Sequence, residues 1–193
     1  MIIGLTGQTG AGKSTVSQIL SEKGLFVIDC DKVSRNVTKK GSPLLKKLAD
    51  AFGCDIILQN GELDRASLAK KAFSSSEKTE LLNSITHPAI INEIKKLIDG
   101  SEQENIVLDA PTLFESGADK LCDKIICVLA DVEVRKKRIA KRDNLNTEQI
   151  SARISAQKQD SFYSDKSDVV IFNNLDFETL KQNTFNALKQ IGV

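Results

Sequence analysis

The chain is poor in the residues that build metal sites, staples and stacking platforms. It has a single histidine, and its four cysteines (Cys30, Cys54, Cys122 and Cys127) show no C-x-x-C spacing. A zinc site or a disulfide framework is therefore not expected. There is no tryptophan and one tyrosine beside eight phenylalanines, too little for a base-stacking surface. With 27 Lys and Arg against 26 Asp and Glu, the net charge is +1, and no overall field draws the chain to nucleic acid or anionic lipid. The longest apolar run, residues 125–130, falls far short of the ~20 residues that span a bilayer. The opening Met1-Ile2-Ile3-Gly4 has neither the basic region nor the long apolar stretch of a secretion signal. These absences predict a soluble cytoplasmic protein with no nucleic-acid or membrane partner. Its 193 residues suffice for one domain, since a chain near 150 residues already buries roughly 70% of its unfolded surface.

What is present is an alternation of short apolar runs with amphipathic segments. The runs 2–6, 25–30, 106–109, 125–130 and 169–172 are bounded by polar residues or glycine and mostly lack period-two alternation, as strands buried on both faces do. Helix signals fall between them. Ser42-Pro43 reads as an N-cap and a first-turn proline ahead of Leu44, Leu48 and Phe52, with Gly53 as the stop. Asp64 caps a second segment, with Ala66, Ala69 and Phe73 on one face. Asn146 and Gln149 form a capping-box pattern opening a helix towards Gln159, and a last helix after Asp176 turns Phe177, Leu180, Leu188 and Ile191 inward. The whole predicts an α/β fold, a five-stranded parallel sheet flanked by helices. The division is a core of 1–40, 101–135 and 161–193, a helical insertion over 41–100 that has no clear strand, and a lid over 136–160.

The strongest motif is Gly7-Gln8-Thr9-Gly10-Ala11-Gly12-Lys13-Ser14, a full G-x-x-x-x-G-K-[ST] directly after the first apolar run. Its glycines let backbone N–H groups turn inward around phosphate oxygens, and the helix that follows adds its positive end. Lys13 can reach the β- and γ-phosphates, and the Ser14 hydroxyl can sit on Mg²⁺. This predicts a nucleoside triphosphate site. The guanine-reading N-K-x-D of a GTPase is missing, because Asn173-Asn174-Leu175-Asp176 lacks the lysine. The third run ends in Asp109, with Pro111 two residues on and no acidic pair; Asp109 either assists Mg²⁺ through water or caps a loop.

The second run ends Ile28-Asp29-Cys30-Asp31, followed by Arg35. Carboxylates at the C-terminal end of a parallel strand face the crevice where open α/β sheets bind ligands. Asp31 would accept or orient a hydroxyl proton beside the P-loop strand, or it would merely pair with Arg35 one turn on. After the fourth run, 135–142 holds six cations in eight residues. Arg135, Arg138 and Arg142 fall on one helical face, a stripe suited to a phosphate clamp, while a solvated helix face is the alternative.

Together these segments resemble the dephospho-CoA kinase family. The resemblance rests on the P-loop, on Ile28-Asp29-Cys30-Asp31-Lys32-Val33-Ser34-Arg35 and on Gly61-Glu62-Leu63-Asp64-Arg65. Leu82-Asn83 with His87-Pro88, Pro111-Thr112-Leu113-Phe114-Glu115, the run 138–143 and Arg153-Ile154-Ser155-Ala156-Gln157 continue it in order to about Asn174. Membership implies ATP-dependent phosphorylation of the ribose 3′-hydroxyl of dephospho-CoA, with ATP and Mg²⁺ required and a P-loop kinase-like core carrying a helical acceptor-binding insertion and a lid. It implies Gly7, Gly10, Ala11, Gly12, Lys13, Ser14, Thr15 and Asn173 at the ATP and Asp31 as the group that activates the acceptor, while Ser14 and Asp109 stay the metal candidates of the motif reading. Arg138 and Arg142 would serve the lid, and Arg35, Arg65, His87, Leu113, Phe114 and Glu115 the acceptor. For His87 an N-cap ahead of a proline-initiated helix is the other reading. Gln8, Thr112 and Leu175 depart from the family's usual Gly, Leu and Gly. A kinase of another small hydroxylated metabolite, such as a nucleoside or sugar acid, and a nucleotide-binding regulatory module are the alternatives.

Overall fold

A computed structural model describes all residues, 1–193. In chain order its elements are β1 (Ile2–Gly7), α1 (Lys13–Glu22), β2 (Phe26–Asp29), α2 (Cys30–Val37), α3 (Pro43–Phe52), α4 (Arg65–Ala72) and α5 (Ser76–Asp99). There follow β3 (Ile106–Asp109), β4 (Lys124–Leu129), α6 (Val132–Asp143), α7 (Thr147–Ser155), α8 (Asp160–Ser164), β5 (Val169–Phe172) and α9 (Phe177–Ile191). The chain forms two compact units, one of Met1–Ile28 with Glu102–Val193 and one of Asp29–Ser101. The sequence division at Gly41 leaves α2 with the sheet, whereas the second unit takes α2 in.

The first unit is built on the five-stranded parallel sheet, in the order β2-β3-β1-β4-β5. β1 lies at its centre, with Leu5 opposite Asp109 of β3 and Gly7 opposite Val128 of β4. This corrects one expectation: the strand beside the P-loop strand is β3, not β2. A parallel connection needs a crossover, and α1 carries the chain past one strand position, which β3 then fills. Ile3, Leu5, Val107, Ile126 and Val128 are buried, and α1 adds Val16, Ile19 and Leu20. α9 covers the same core with Leu180, Ala187, Leu188 and Ile191, its start fixed by Asp176, whose Oδ1 accepts from Thr179 N at 2.8 Å. Phe177, expected inward, is 52% exposed. It is the first residue of α9, and a helical side chain leans towards the N-terminus, here beyond the core.

β2 ends one residue earlier than its apolar run because Asp29 is the N-cap of α2, its Oδ1 accepting from Lys32 N at 2.9 Å. Cys30 is thereby helical. Asp29 is the other carboxylate at the end of this run, and the cap accounts for it structurally. The capping box of Asn146 and Gln149 forms as expected, but α7 stops at Ser155 rather than running to Gln159.

In the second unit, Ser42 Oγ accepts from Leu45 N at 3.1 Å and Pro43 opens α3. Leu44, Leu48 and Phe52 then pack with Ile56, Leu68 and Ala72. The buried face of α4 is therefore Leu68 and Ala72, not Ala66, Ala69 and Phe73. Asp64 Oδ1 accepts from Ala66 N and Ser67 N, at 3.1 and 3.0 Å, which sets the helix phase. Phe73 is already the C-cap and is 67% exposed. Pro88 lies inside the 24-residue α5, so His87 is no N-cap. The proline removes one backbone donor, while Leu82, Ile85 and Ala89 pack on the unit's core and carry the helix across the gap. His87 is half-buried, and burial pushes its imidazole pKa down.

Candidate active site

The P-loop links β1 to α1 beneath an unusually close approach of chain. Gly12 is the N-cap of α1 with φ +100°, and a Cβ there would lie 2.2 Å from Asn173 Nδ2. Gly10, at φ +78°, would place a Cβ 3.0 Å from the Arg135 carbonyl oxygen. Both positions thus require glycine for backbone conformation and for space. No side chain caps α1 and no acidic residue sits in its first turn, so the helix end keeps its N–H groups and positive dipole for an anion. The Ala11 and Thr15 N–H groups are exceptions, since they donate to Gln8 O at 3.1 Å and to Gly12 O at 3.0 Å.

Lys13 and Asp109 form an ion pair, and their side chains are only 16% and 12% exposed. Ser14 is exposed and Thr15 half-buried in the same helical turn. No group of three or more His, Cys, Asp or Glu residues is placed to hold a metal ion. Asp109 and Ser14 offer oxygen donors alone, which suits Mg²⁺ carried mainly by phosphates and water.

The three arginines expected to act as one stripe do three different things. Arg135 is 2% exposed and donates to Thr9 O, Gln8 Oε1 and Gln157 Oε1, at 3.0, 2.7 and 2.7 Å. Its place is therefore under the P-loop and not in a clamp. Arg138 donates to Asn173 O at 2.9 Å and Asn173 Oδ1 at 3.2 Å, and reaches the Ala11 carbonyl at 3.4 Å. Arg142 is bidentate on Asp143, at 2.6 and 2.8 Å, and Arg153 of α7 donates to the same carboxylate at 2.7 Å. These bonds, with that from Arg142 first, hold the Asp143 carboxyl below its usual pKa.

Asn173 is 5% exposed and fully engaged beneath the loop: its Nδ2 donates to Ala11 O at 2.8 Å and its N–H to Leu129 O at 2.8 Å. The amide braces the cradle from below and gives Arg138 an anchor.

The expected acceptor residues lie in both units. In the second, Asp31 and Arg35 are exposed in the first and last turns of α2. Arg65 Nη2 donates to Thr38 Oγ1 at 2.9 Å and to the Arg35 carbonyl at 3.5 Å, tying α4 to the end of α2. In the first unit Leu113 is fully buried against Gly4, and its carbonyl accepts from Ala118 N and Asp119 N at 3.1 and 3.3 Å. Leu113 thus shapes its turn from inside rather than lining a surface. Phe114 meets Phe162 edge to face at 5.7 Å, and Lys166 Nζ sits 3.9 Å from the Phe162 ring centre. Glu115 is exposed.

Sequence reasoning gave no role of their own to four polar residues of this network. Gln8 stands out in the sequence only as a departure, yet it is 4% exposed and bonded on both sides of its amide. Gln157, Asp160 and Asp143 carry no periodicity or spacing that marks them as partners of the loop or of the arginines.

Comparison with known proteins identifies the family and the fold. The family profile described as dephospho-CoA kinase matches residues 1–178. The dephospho-CoA kinase of Fusobacterium nucleatum is 44% identical over 180 residues, covering 93% of each chain. A Thermus thermophilus protein of solved structure superposes with a TM-score of 0.88 at 27% identity, covering 100% of this chain and 98% of its own. The dephospho-CoA kinase of Campylobacter jejuni gives a TM-score of 0.70 at 26% identity, over 98% and 96% of the two chains. With a matched family profile over nearly its whole length and this P-loop at its centre, the chain belongs to the dephospho-CoA kinase family.

Proposed function

We propose that the protein is a cytoplasmic enzyme that transfers the γ-phosphoryl group of ATP to the ribose 3′-hydroxyl of dephospho-CoA. The products are coenzyme A and ADP, the last step of coenzyme A biosynthesis. The observation that carries the reading is the uncapped start of α1 behind a complete P-loop, in a chain of this family.

Phosphoryl transfer proceeds through a loose transition state, so the protein contributes chiefly position and electrostatics. The N–H groups at the start of α1 hold the phosphate oxygens, and Lys13 follows the charge that moves from the γ- to the β-phosphate. Ser14 and Asp109 would hold Mg²⁺ brought in with ATP, and the ion would supply positive charge to the phosphate oxygens. Asp31 accepts the proton of the attacking hydroxyl as its oxygen bonds to phosphorus and the bond to the β-phosphate oxygen breaks. Arg142 supplies lid charge, and Arg138 holds Asn173 and the loop beneath the nucleotide. Arg35, Arg65 and Glu115 serve acceptor recognition.

The test is ADP release from ATP and Mg²⁺ by the purified protein, with dephospho-CoA set against a panel of nucleosides and sugar acids. Dephospho-CoA is expected to be turned over fastest, and the product to be phosphorylated at the 3′ position. Faster turnover of another hydroxyl acceptor would overturn the assignment.

A further inference from the structure

Arg135 is the largest fully buried side chain of the protein, and the reaction as described does not use it. Its guanidinium commits Nε, Nη1 and Nη2 inward, to Thr9 O, Gln8 Oε1 and Gln157 Oε1. Gln157 Oε1 also accepts from Thr9 N at 3.1 Å. Both backbone groups of Thr9 are thus held by one guanidinium and one amide. Gln8 continues the chain of bonds: its Nε2 donates to Asp160 Oδ1 at 2.9 Å and to Lys158 O at 3.1 Å. The Gln8 amide therefore stands between a buried cation and a carboxylate, so the charge of Arg135 is compensated at one remove. A buried charge left without such partners would be costly. Burial weakens the hold of Arg135 on its proton, and Asp160 opposes that.

The node has a particular position in the chain. Arg135 lies in the first turns of α6, while Gln157, Lys158 and Asp160 follow the end of α7. Both roots of the α6–α7 segment are thus fastened to the same two residues of the P-loop rim.

We propose that Arg135 is a positioning residue for the nucleotide: it holds the turn at Gln8 and Thr9 so that the phosphate cradle is formed before ATP arrives. The proposal rests on the P-loop being the ATP site and is independent of the acceptor. A cradle that is formed only part of the time binds with an apparent dissociation constant raised by the inverse of the formed fraction. Loosening the node therefore weakens ATP binding, while saturating ATP restores the rate.

The test is calorimetric binding of Mg-ATP without acceptor, together with steady-state kinetics and melting, for Arg135→Gln, Arg135→Lys, Gln157→Ala and the double variant Arg135→Gln with Gln157→Ala. Arg135→Gln is expected to raise Kd and KM for ATP by about tenfold or more, with kcat and the acceptor KM within about threefold of the parent. Arg135→Lys keeps the charge but not the planar fork, so it should bind ATP as weakly as the glutamine variant. Gln157→Ala should act in the same direction, and the double variant should fall short of the product of the single effects. Should the Arg135 variants fail to fold, Gln157→Ala alone decides, because Gln157 is only half-buried. Full ATP affinity in Arg135→Lys would assign the role to charge alone and overturn the proposal. Unchanged ATP affinity with only a lower Tm would reduce the node to a structural one and would overturn it equally. A parent enzyme that binds ATP but does not phosphorylate dephospho-CoA would sink the acceptor assignment and leave this proposal standing.

Discussion

Lys13, the first residue of α1, is paired with Asp109, the last residue of β3, and Asp109 lies opposite Leu5 of the P-loop strand. The pair joins the P-loop lysine to the strand beside it. Phosphate and carboxylate compete for one ammonium group, so nucleotide binding is expected to draw Lys13 from Asp109 and free that carboxylate.

Lys13→Met tests both halves of this relationship. Losing the charge that follows the transferred phosphoryl group should lower kcat by about 10²–10³, the usual worth of a preorganised electrostatic group. It also leaves a mostly buried carboxylate without its partner, so Tm should fall. Adding Asp109→Asn should recover Tm and none of the turnover. Near-parental kcat in Lys13→Met would show that the P-loop is not the donor site.

Gly12→Ala should abolish the cradle. The added methyl group would lie 2.2 Å from Asn173 Nδ2, an amide already held by Ala11 O and Arg138, and φ is +100°. Gly24→Ala is the control, because φ is +99° there but nothing lies within 4 Å. ATP should raise the Tm of the parent and of Gly24→Ala, as any ligand of the native state does, and should leave that of Gly12→Ala unmoved. An ATP-induced shift of parental size in Gly12→Ala would show that the Asn173 latch gives way cheaply.

The division between what the sequence told and what it hid follows the range of each interaction. Ser42, Asp64, Asn146 and Asp176 announced their helices because a cap bonds within three residues. The five strands were readable as apolar runs because both faces of the sheet are covered. Pro88 misled, since tertiary packing of Leu82, Ile85 and Ala89 outweighs one missing backbone bond. The arginine stripe misled for a related reason. Helical spacing places Arg135, Arg138 and Arg142 on one face, but Gln8, Asn173 and Asp143 take them to three separate ends. Arg135 meets Gln8 and Thr9 from 127 and 126 residues away, and no local pattern encodes such a partner. The strand order was hidden likewise, because nothing in the apolar runs says that β3 enters between β1 and β2.

The Arg142, Asp143 and Arg153 cluster gives a pH dependence. The Asp143 pKa is lowered in the folded protein, chiefly by its bonds to Arg142. A lowered carboxylate pKa adds stability at pH above the unfolded value, and that stability is lost as pH falls through the folded value. Acid should therefore release α7 from α6, read as faster proteolysis within 141–153, and Asp143→Asn should show that behaviour already at neutral pH. In the same segment Arg142→Ala should lower turnover more than Lys141→Ala. Equal effects that vanish at high salt would mean a diffuse positive surface, and a cleavage rate independent of pH would remove the cluster's role in holding the two helices.

Asp31 carries the last prediction. It is an exposed residue in the first turn of α2, where the cap made by Asp29 fixes the helix start. A ribose hydroxyl is a poor nucleophile until its proton has a place to go and its lone pair faces the phosphorus. A carboxylate supplies a base and a fixed hydrogen-bond acceptor together. Asp31→Asn keeps the shape and part of the hydrogen bonding while removing the charge and the basic lone pair. The expected result is a fall in kcat of about 10²–10⁴, the usual worth of a positioned general base. ATP affinity should stay near the parental value, because the phosphate cradle lies in the P-loop and the role proposed for the Asp31 carboxylate concerns only the acceptor. The competing account is that Asp31 only pairs with Arg35 one helical turn away, an exposed ion pair worth at most ~1 kcal/mol. On that account the asparagine variant would lose a little stability and almost no turnover, and Arg35→Gln would reproduce it. Measuring kcat, ATP affinity and Tm on Asp31→Asn and Arg35→Gln separates the two, because a base is lost in only one of them. A kcat for Asp31→Asn within a few-fold of the parent would end the catalytic role of Asp31.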